Sequence, residues 1–259
     1  CDIWKANHEK REFSVEDLGN HMDAFKRLGV REVVFSGGEA LMHANLWRLC
    51  DLLRTSRIKI TLLTTGLLLQ RNASAVINHC DEVIISLDGS EKVHDSIRNI
   101  PSGFRKIAEG IASIKNIKPQ FPISARCVLQ RHNYFDFENT VRAAKRLGFD
   151  KISFLAADVF TSAFNRSNPW NEQRVSEIAL SRDEVTHFEV ILENAVAALK
   201  QDFASGFIVE STGKLNRILQ YYRAVNSDGD FPRPICNAPW VSAVIDSDGS
   251  VLPCFFHKP

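Results

Sequence analysis

From residue 14 to residue 156 the hydrophobic period of the chain switches repeatedly between that of a helix and that of a strand, which limits the fold more than any other feature. Val15, Leu18, Met22, Phe25 and Leu28 recur at helical spacing, with Ser14 placed to cap the start and Gly29 to end it. Arg31–Ala40 then reads as a β-branched and aromatic run, Glu32-Val33-Val34-Phe35, that stops on Ser36-Gly37-Gly38-Glu39. A helix near 43–55, a strand over 57–65 ending in Thr64-Thr65-Gly66, a helix over 70–79 and a strand over 82–89 ending in Ser86-Leu87-Asp88-Gly89 follow. Helix 102–116, strand 121–130, helix 134–147 and strand 150–156 continue the series. The short connections suit right-handed crossovers. Strands alternating with helices over this length predict an α/β fold with a parallel sheet, closed as a barrel or open and doubly wound.

Two details favour the barrel. Ser36-Gly37-Gly38-Glu39, Thr64-Thr65-Gly66, Ser86 with Asp88, and Ser124 with Arg126 put polar residues or glycine on, or at the C-terminal ends of, successive strands, where barrel enzymes keep their sites. No Gly-x-Gly-x-x-Gly follows any strand, so the dinucleotide fold has no fingerprint. In 121–130, Ser124 and Arg126 share one strand face while Ile123, Ala125, Cys127 and Leu129 share the other. The polar face is expected to point inward. Cys127 then lies under the helix layer as a small buried hydrophobe, and Cys50 and Cys80, at apolar helix positions, read the same way.

The two glycines after the first strand let backbone approach a ligand without side-chain obstruction. Their bare carbonyls and the Glu39 carboxylate are acceptors, which suits a ligand bearing an ammonium group. A plainer reading is a tight turn with Glu39 near the next helix N-terminus, where a carboxylate is favoured anyway. Residues 157–180 have no period and read as a long loop; helices are expected over 182–200 and 211–224. Near the end, Val241–Ile245 and Val251–Leu252 flank Asp246-Ser247-Asp248-Gly249, a hairpin signal that brings Cys236 and Cys254 to comparable heights.

With 259 residues there is room for one large domain or two smaller ones, and 44% hydrophobic with 24% charged residues excludes disordered and fibrous classes. A formal net charge of +1 argues against a broad footprint for nucleic acid or an anionic membrane. No apolar run approaches a membrane span, Cys1-Asp2-Ile3-Trp4-Lys5 is no signal peptide, and a cytoplasmic location is the default expectation. Six unevenly spaced cysteines fit metal or buried-thiol roles in a reducing compartment better than a disulfide framework.

Cys1-Asp2-Ile3-Trp4-Lys5, then Ser36-Gly37-Gly38-Glu39-Ala40-Leu41, then Ile85-Ser86-Leu87-Asp88-Gly89 with His94-Asp95 and Arg98, in this order and spacing, resemble the radical S-adenosylmethionine (SAM) enzymes over residues 1 to 200. Cys236, Gly249 and Cys254 resemble the start of the cysteine-rich accessory region called SPASM or, in its shorter form, twitch. The resemblance implies that Cys1 is the third cysteine of a Cys-x3-Cys-x2-Cys motif holding a [4Fe–4S] cluster, the other two lying upstream, with the fourth iron open for SAM. It implies that Gly37, Gly38 and Glu39 receive the methionyl ammonium, that Ser86 and Asp88 approach the ribose hydroxyls, and that Ser124 and Arg126 lie on the polar face where a guanidinium meets the methionyl carboxylate. The alternative for Arg126 is an interior ion pair with Asp88 or Glu39. Thr65 stands where many relatives have asparagine, and His94 with Asp95 also fits a helix-capping or surface role.

On this resemblance the chain is expected to be a partial (β/α)6 barrel, residues 1–205, followed by a helical connector, 206–235, and the start of a small cysteine-rich accessory domain, 236–259. The implied function is reductive cleavage of SAM to a 5′-deoxyadenosyl radical that abstracts hydrogen from a peptide or small molecule, with metal ligands Cys1, Cys236 and Cys254, an auxiliary iron–sulfur cluster, and an electron donor such as flavodoxin or ferredoxin. Two alternatives stand beside it: a degenerate barrel that binds a partner or cluster without radical chemistry, and a metal-independent lyase or isomerase using Glu39 with His94 or Asp95 as acid and base.

Overall fold

The first helix forms where its caps predict. Ser14 Oγ accepts the Asp17 N–H at 3.0 Å, the Asp17 carboxylate accepts the Ser14 N–H at 2.9 Å, and Gly29 closes Val15–Leu28 in the left-handed conformation. A computed structural model describes residues 11–161, 163 and 168–256 of the chain. Five strands follow: β1 (Glu32–Phe35), β2 (Lys59–Thr64), β3 (Glu82–Ser86), β4 (Ile123–Leu129) and β5 (Lys151–Ala156). They are parallel and lie side by side in chain order.

That order settles the choice between barrel and doubly wound sheet. With right-handed crossovers that never reverse direction, every helix lands on the same side of the sheet; a doubly wound sheet needs a reversal to cover its second face. Ile60 and Leu62 on β2, Val83 and Ile85 on β3, Ala125 and Cys127 on β4, and Ile152 and Phe154 on β5 are buried under the helices. The opposite face leaves Val34 and Leu155 exposed. The sheet is a partial barrel, its uncovered face the lumen.

A sixth position begins beside β5. Ile152 donates to Phe207 O at 2.7 Å and accepts from Val209 N at 2.9 Å, so Ile208 pairs with Ile152 in parallel. The next ladder bond is taken by a side chain: Phe154 N–H donates to Glu210 Oε2 at 2.7 Å. Helix Thr212–Val225 then packs back, and its Tyr222 hydroxyl donates to Leu129 O at 2.5 Å and accepts the Ala157 N–H at 3.0 Å, tying the ends of β4 and β5 together.

Several local expectations are corrected. Helix Glu172–Ile178, capped by Asn171 through the Arg174 N–H at 2.9 Å, occupies part of the stretch read as loop, and helix Glu91–Arg98 forms where no element was expected. The helix expected over 182–200 breaks at Leu199 into Arg182–Ala198 and Lys200–Ala204. In the terminal hairpin, β6 is only Val244–Ile245 against β7 (Val251–Leu252), because Ala238–Val241 forms a helical turn closed by the Ser242 N–H on Ala238 O. Cys50, Cys80 and Cys127 are buried free thiols, as expected from their apolar positions.

Candidate functional site

The lumen face has a charged floor. Register places Glu32, Lys59, Glu82 and Lys151, all at strand starts, near the N-terminal end, with Thr61 and Ser124 among them. Lys59 Nζ lies 3.3 Å from Glu32 Oε1 and 3.2 Å from Glu82 Oε2, and Lys151 Nζ lies 3.2 Å from Glu82 Oε1. Thr61 donates to Glu32 at 2.5 Å and Ser124 to Glu82 at 2.8 Å. Burial alone would raise the Glu82 pKa, but the Ser124 hydrogen bond with Lys59 and Lys151 outweighs it and holds the carboxyl below its ordinary value. Ser124 faces the lumen as expected, yet its hydroxyl is used by the floor.

Above the floor stands Arg126, opposite Ser86 on β3 and Ser153 on β5. Its Nε is buried and has no hydrogen-bond partner among the described residues. Burial lowers its pKa, opposed by the charges of Glu210 and Glu82. Both of those carboxylates are engaged elsewhere, Glu210 with Phe154 N–H and with Lys214 Nζ at 3.0 Å. The interior pairs weighed for Arg126 are likewise taken up, since Asp88 pairs with Arg98 and Glu39 with threonines. A cationic side chain facing the lumen, its buried Nε without an acceptor among the described residues, suits an anionic ligand.

At the rim, Gly37 takes φ 137°, closed to residues with a side chain, and a Cβ there would meet nothing within 4 Å. Gly38 is exposed beside it. Glu39 braces this loop: Oε1 accepts from Leu41 N–H at 3.0 Å and Thr64 Oγ1 at 2.7 Å, and Oε2 from Thr65 N–H at 2.8 Å and from the Thr65 hydroxyl. Its acceptor sites are filled, so an ammonium group at this loop would meet backbone carbonyls. Thr65 and Glu39 are thus brought together as a brace between the ends of β1 and β2.

Asp88 extends the β3–β4 ladder beyond its last strand residue. After Leu87 N–H donates to Arg126 O at 2.9 Å, Asp88 Oδ1 accepts the Val128 N–H at 3.2 Å and Oδ2 lies 2.6 Å from Arg98 Nε. That Nε–H is turned off the line of a directed hydrogen bond, so the contact with Arg98 is ionic. His94 Nδ1 accepts the Asp88 N–H at 3.1 Å, and burial pushes the imidazole pKa down. Asn133 donates to Asp88 O at 2.9 Å and Val128 O at 3.0 Å; Asp136 accepts the Ser90 N–H at 2.7 Å. Asp95 caps the helix Gly103–Ile117 through Phe104 N–H at 2.7 Å. His94 is therefore no surface residue, and Glu39, His94 and Asp95 each serve separate backbone amides and form no acid–base pair.

Sequence reasoning missed Glu82, Glu210 and Asn133. A signal for the floor was present: β1, β2, β3 and β5 each open on a charged residue, and the signs alternate along β1 to β3. Cys1 lies outside the described residues. Cys236 is exposed and Cys254 half-buried, and no three His, Cys, Asp or Glu side chains gather as a metal site among the described residues. A cleft of about 480 Å³ beside Lys92, Arg131, His132 and Glu184 lies outside the rim and includes none of the inward residues.

Residues 1–144 match the family model of the radical SAM superfamily. The chain belongs to that superfamily. Among curated proteins it is 25% identical over 261 residues to the PqqA peptide cyclase of Ruegeria pomeroyi, covering 98% of this chain and 63% of that protein. It is 24% identical over 143 residues to the AdoMet-dependent heme synthase of Nitratidesulfovibrio vulgaris, covering 53% of this chain and 38% of that one. The chain thus spans less than two thirds of the length of these relatives. Its fold is that of anSMEcpe with bound AdoMet, at TM-score 0.66 and 20% identity over 95% of this chain and 66% of that one. Streptococcus suis SuiB bound to precursor peptide SuiA shares the fold at TM-score 0.58 and 15% identity, over 96% of this chain and 54% of that one. No helix among the described residues is long and apolar enough to cross a membrane.

Proposed function

We propose that this chain carries the SAM-binding core of a radical SAM enzyme that acts on a peptide. The observation that supports this most is Arg126, whose buried Nε has no acceptor among the described residues while the family model spans its strand. In this reading the methionyl carboxylate is the missing partner, the carbonyls of Gly37 and Gly38 take the ammonium, and Ser86 lies on the ribose side. Glu39 and Thr65 hold the glycine loop against β2, Asp88 holds the rim between β3 and β4, and Ser124 belongs to the floor. When bound, the [4Fe–4S] cluster and SAM supply one-electron chemistry, reductive cleavage to methionine and a 5′-deoxyadenosyl radical able to take hydrogen from carbon. Cys1 is the cluster ligand this chain contributes; Cys236 and Cys254 contribute to an auxiliary cluster completed by other ligands.

The lumen residues bind and orient; none of them needs to move a proton. The peptide assignment draws on a relative named as a peptide cyclase, whose match runs over 98% of this chain and 63% of that protein. Residues 1–205 form the core, extended by the sixth position at 207–210 and helix Thr212–Val225 within the connector 206–235; 236–259 begin the accessory region, and a carrier such as flavodoxin or ferredoxin delivers the electron. The test is anaerobic reconstitution of the full-length protein, reduction, and quantification of 5′-deoxyadenosine. The wild type is expected to form it and Arg126→Ala to require at least about tenfold more SAM for half-maximal formation, the scale of one charge-assisted hydrogen bond. An unchanged SAM requirement would remove Arg126 from the site, and a reconstituted wild type that forms no 5′-deoxyadenosine would overturn the radical reading.

A further inference from the structure

At the end of the sheet remote from the rim, a cleft of about 390 Å³ is lined by Arg54, Arg57, Ile58, Lys59 and Asp81. Cations at this end have an ordinary explanation: every crossover helix points its C-terminus here, and Lys26, Arg27, Arg54, Lys145 and Arg146 in last turns answer the aligned dipoles. Arg57 is not in a helix. It takes φ 57°, the left-handed region where a side chain costs energy and glycine does not. Its side chain is exposed and makes no hydrogen bond or ion pair among the described residues, so no internal contact repays that strain. Arg54 is only loosely matched, with Nη1 on Asn78 O at 2.9 Å and Nη2 3.8 Å from Asp81 Oδ1, while Asp81 Oδ2 accepts the Ile60 N–H at 2.8 Å.

We propose that the cleft between Arg54 and Arg57, at the N-terminal ends of β2 and β3, docks a carboxylate-rich segment of the peptide substrate distant from the residue that reacts. The inference rests on the peptide reading above. A guanidinium fork fits a carboxylate in two-pronged geometry. Lys59 is already paired with Glu32 and Glu82, and Asp81 lies on the wall, so the charge left to spare sits on Arg57 with Arg54 beside it, enough for one or two carboxylates and short of what a continuous phosphate backbone needs. No aromatic ring lines the cleft, so the stacking that single-stranded nucleic acid uses is missing from it. Docking at the far end of the barrel adds binding energy without occupying the lumen, as remote substrate contacts do.

The experiment titrates fluorescein-labelled hexaglutamate into the reconstituted full-length protein and reads anisotropy at low and high salt. Wild type is expected to bind in a salt-sensitive way. Arg57→Gly should weaken binding at least about tenfold while the unfolding midpoint stays or rises, because glycine suits the backbone there. 5′-Deoxyadenosine formation without peptide should be unchanged, which separates failure of this inference from failure of the radical reading. Equal hexaglutamate affinity in Arg57→Gly would overturn the proposal, as would equal binding of hexaglutamine or tighter binding of an oligouridylate.

Discussion

The rim pair Asp88–Arg98 permits a quantitative test of what Asp88 does. The Asp88 side chain is 4% exposed and that of Arg98 30%, so the pair is shielded on one side only. Breaking a fully buried pair by removing one partner costs about 3–5 kcal/mol. Discounted for the wet side of Arg98, Asp88→Asn should cost about 2–3 kcal/mol, because the amide oxygen still accepts the Val128 N–H and only the ionic contact is lost. Arg98→Met should cost at least as much, leaving a buried carboxylate with a single donor. The double variant removes both charges, so the two losses should fall short of adding by about 1.5–2 kcal/mol. Urea unfolding of the four proteins measures the cycle. Losses that add within about 0.5 kcal/mol would refute the rim pair. An Asp88→Asn protein of full stability but weakened SAM binding would return Asp88 to the ribose role.

Three further outcomes follow from the same contacts. Burial holds the His94 pKa below its ordinary value, so the unfolded chain binds a proton the folded one refuses; that stability is present above the unfolded pKa of about 6.5 and is lost as pH falls towards the folded value. His94→Gln should flatten the fall in urea midpoint on acidification, by at most about 1.4 kcal/mol per pH unit, and an unchanged slope would assign it to another group. Gly37→Val should cost about 1–3 kcal/mol of backbone strain and weaken SAM binding at least tenfold by calorimetry, with unaltered affinity counting against the loop. Cys254→Ala in the full-length protein should lower iron by about one cluster's worth while 5′-deoxyadenosine formation without peptide persists; unaltered iron would make Cys254 a structural thiol.

Elements whose signals are local were legible in the sequence. Ser14 and Gly29 mark both ends of the first helix because capping is decided within four residues. The inward face of Ser124 and Arg126 follows from strand period alone. What the sequence hid depends on partners distant along the chain. Ser124 meets Glu82, Glu39 meets Thr64 and Thr65, and Glu210 meets Phe154, none of which periodicity can pair. Helix Glu91–Arg98 escaped notice because it is short and its one buried residue is a histidine rather than an apolar stripe. Val241 looked like a strand residue by β-branching, but the Ala238-Pro239 start favours a helical turn.

The pairing proposed above joins Arg126 to the carboxylate of SAM. It is tested most directly by calorimetric titration of SAM and of its decarboxylated analogue into reconstituted wild-type protein and Arg126→Ala. Wild type should prefer the carboxylated ligand at least about tenfold more strongly than the variant does, the difference being the charge-assisted pair itself, while any preference due to the cluster's open iron is common to both. An equal preference in both proteins would show that the carboxylate is bound elsewhere and would contradict the account.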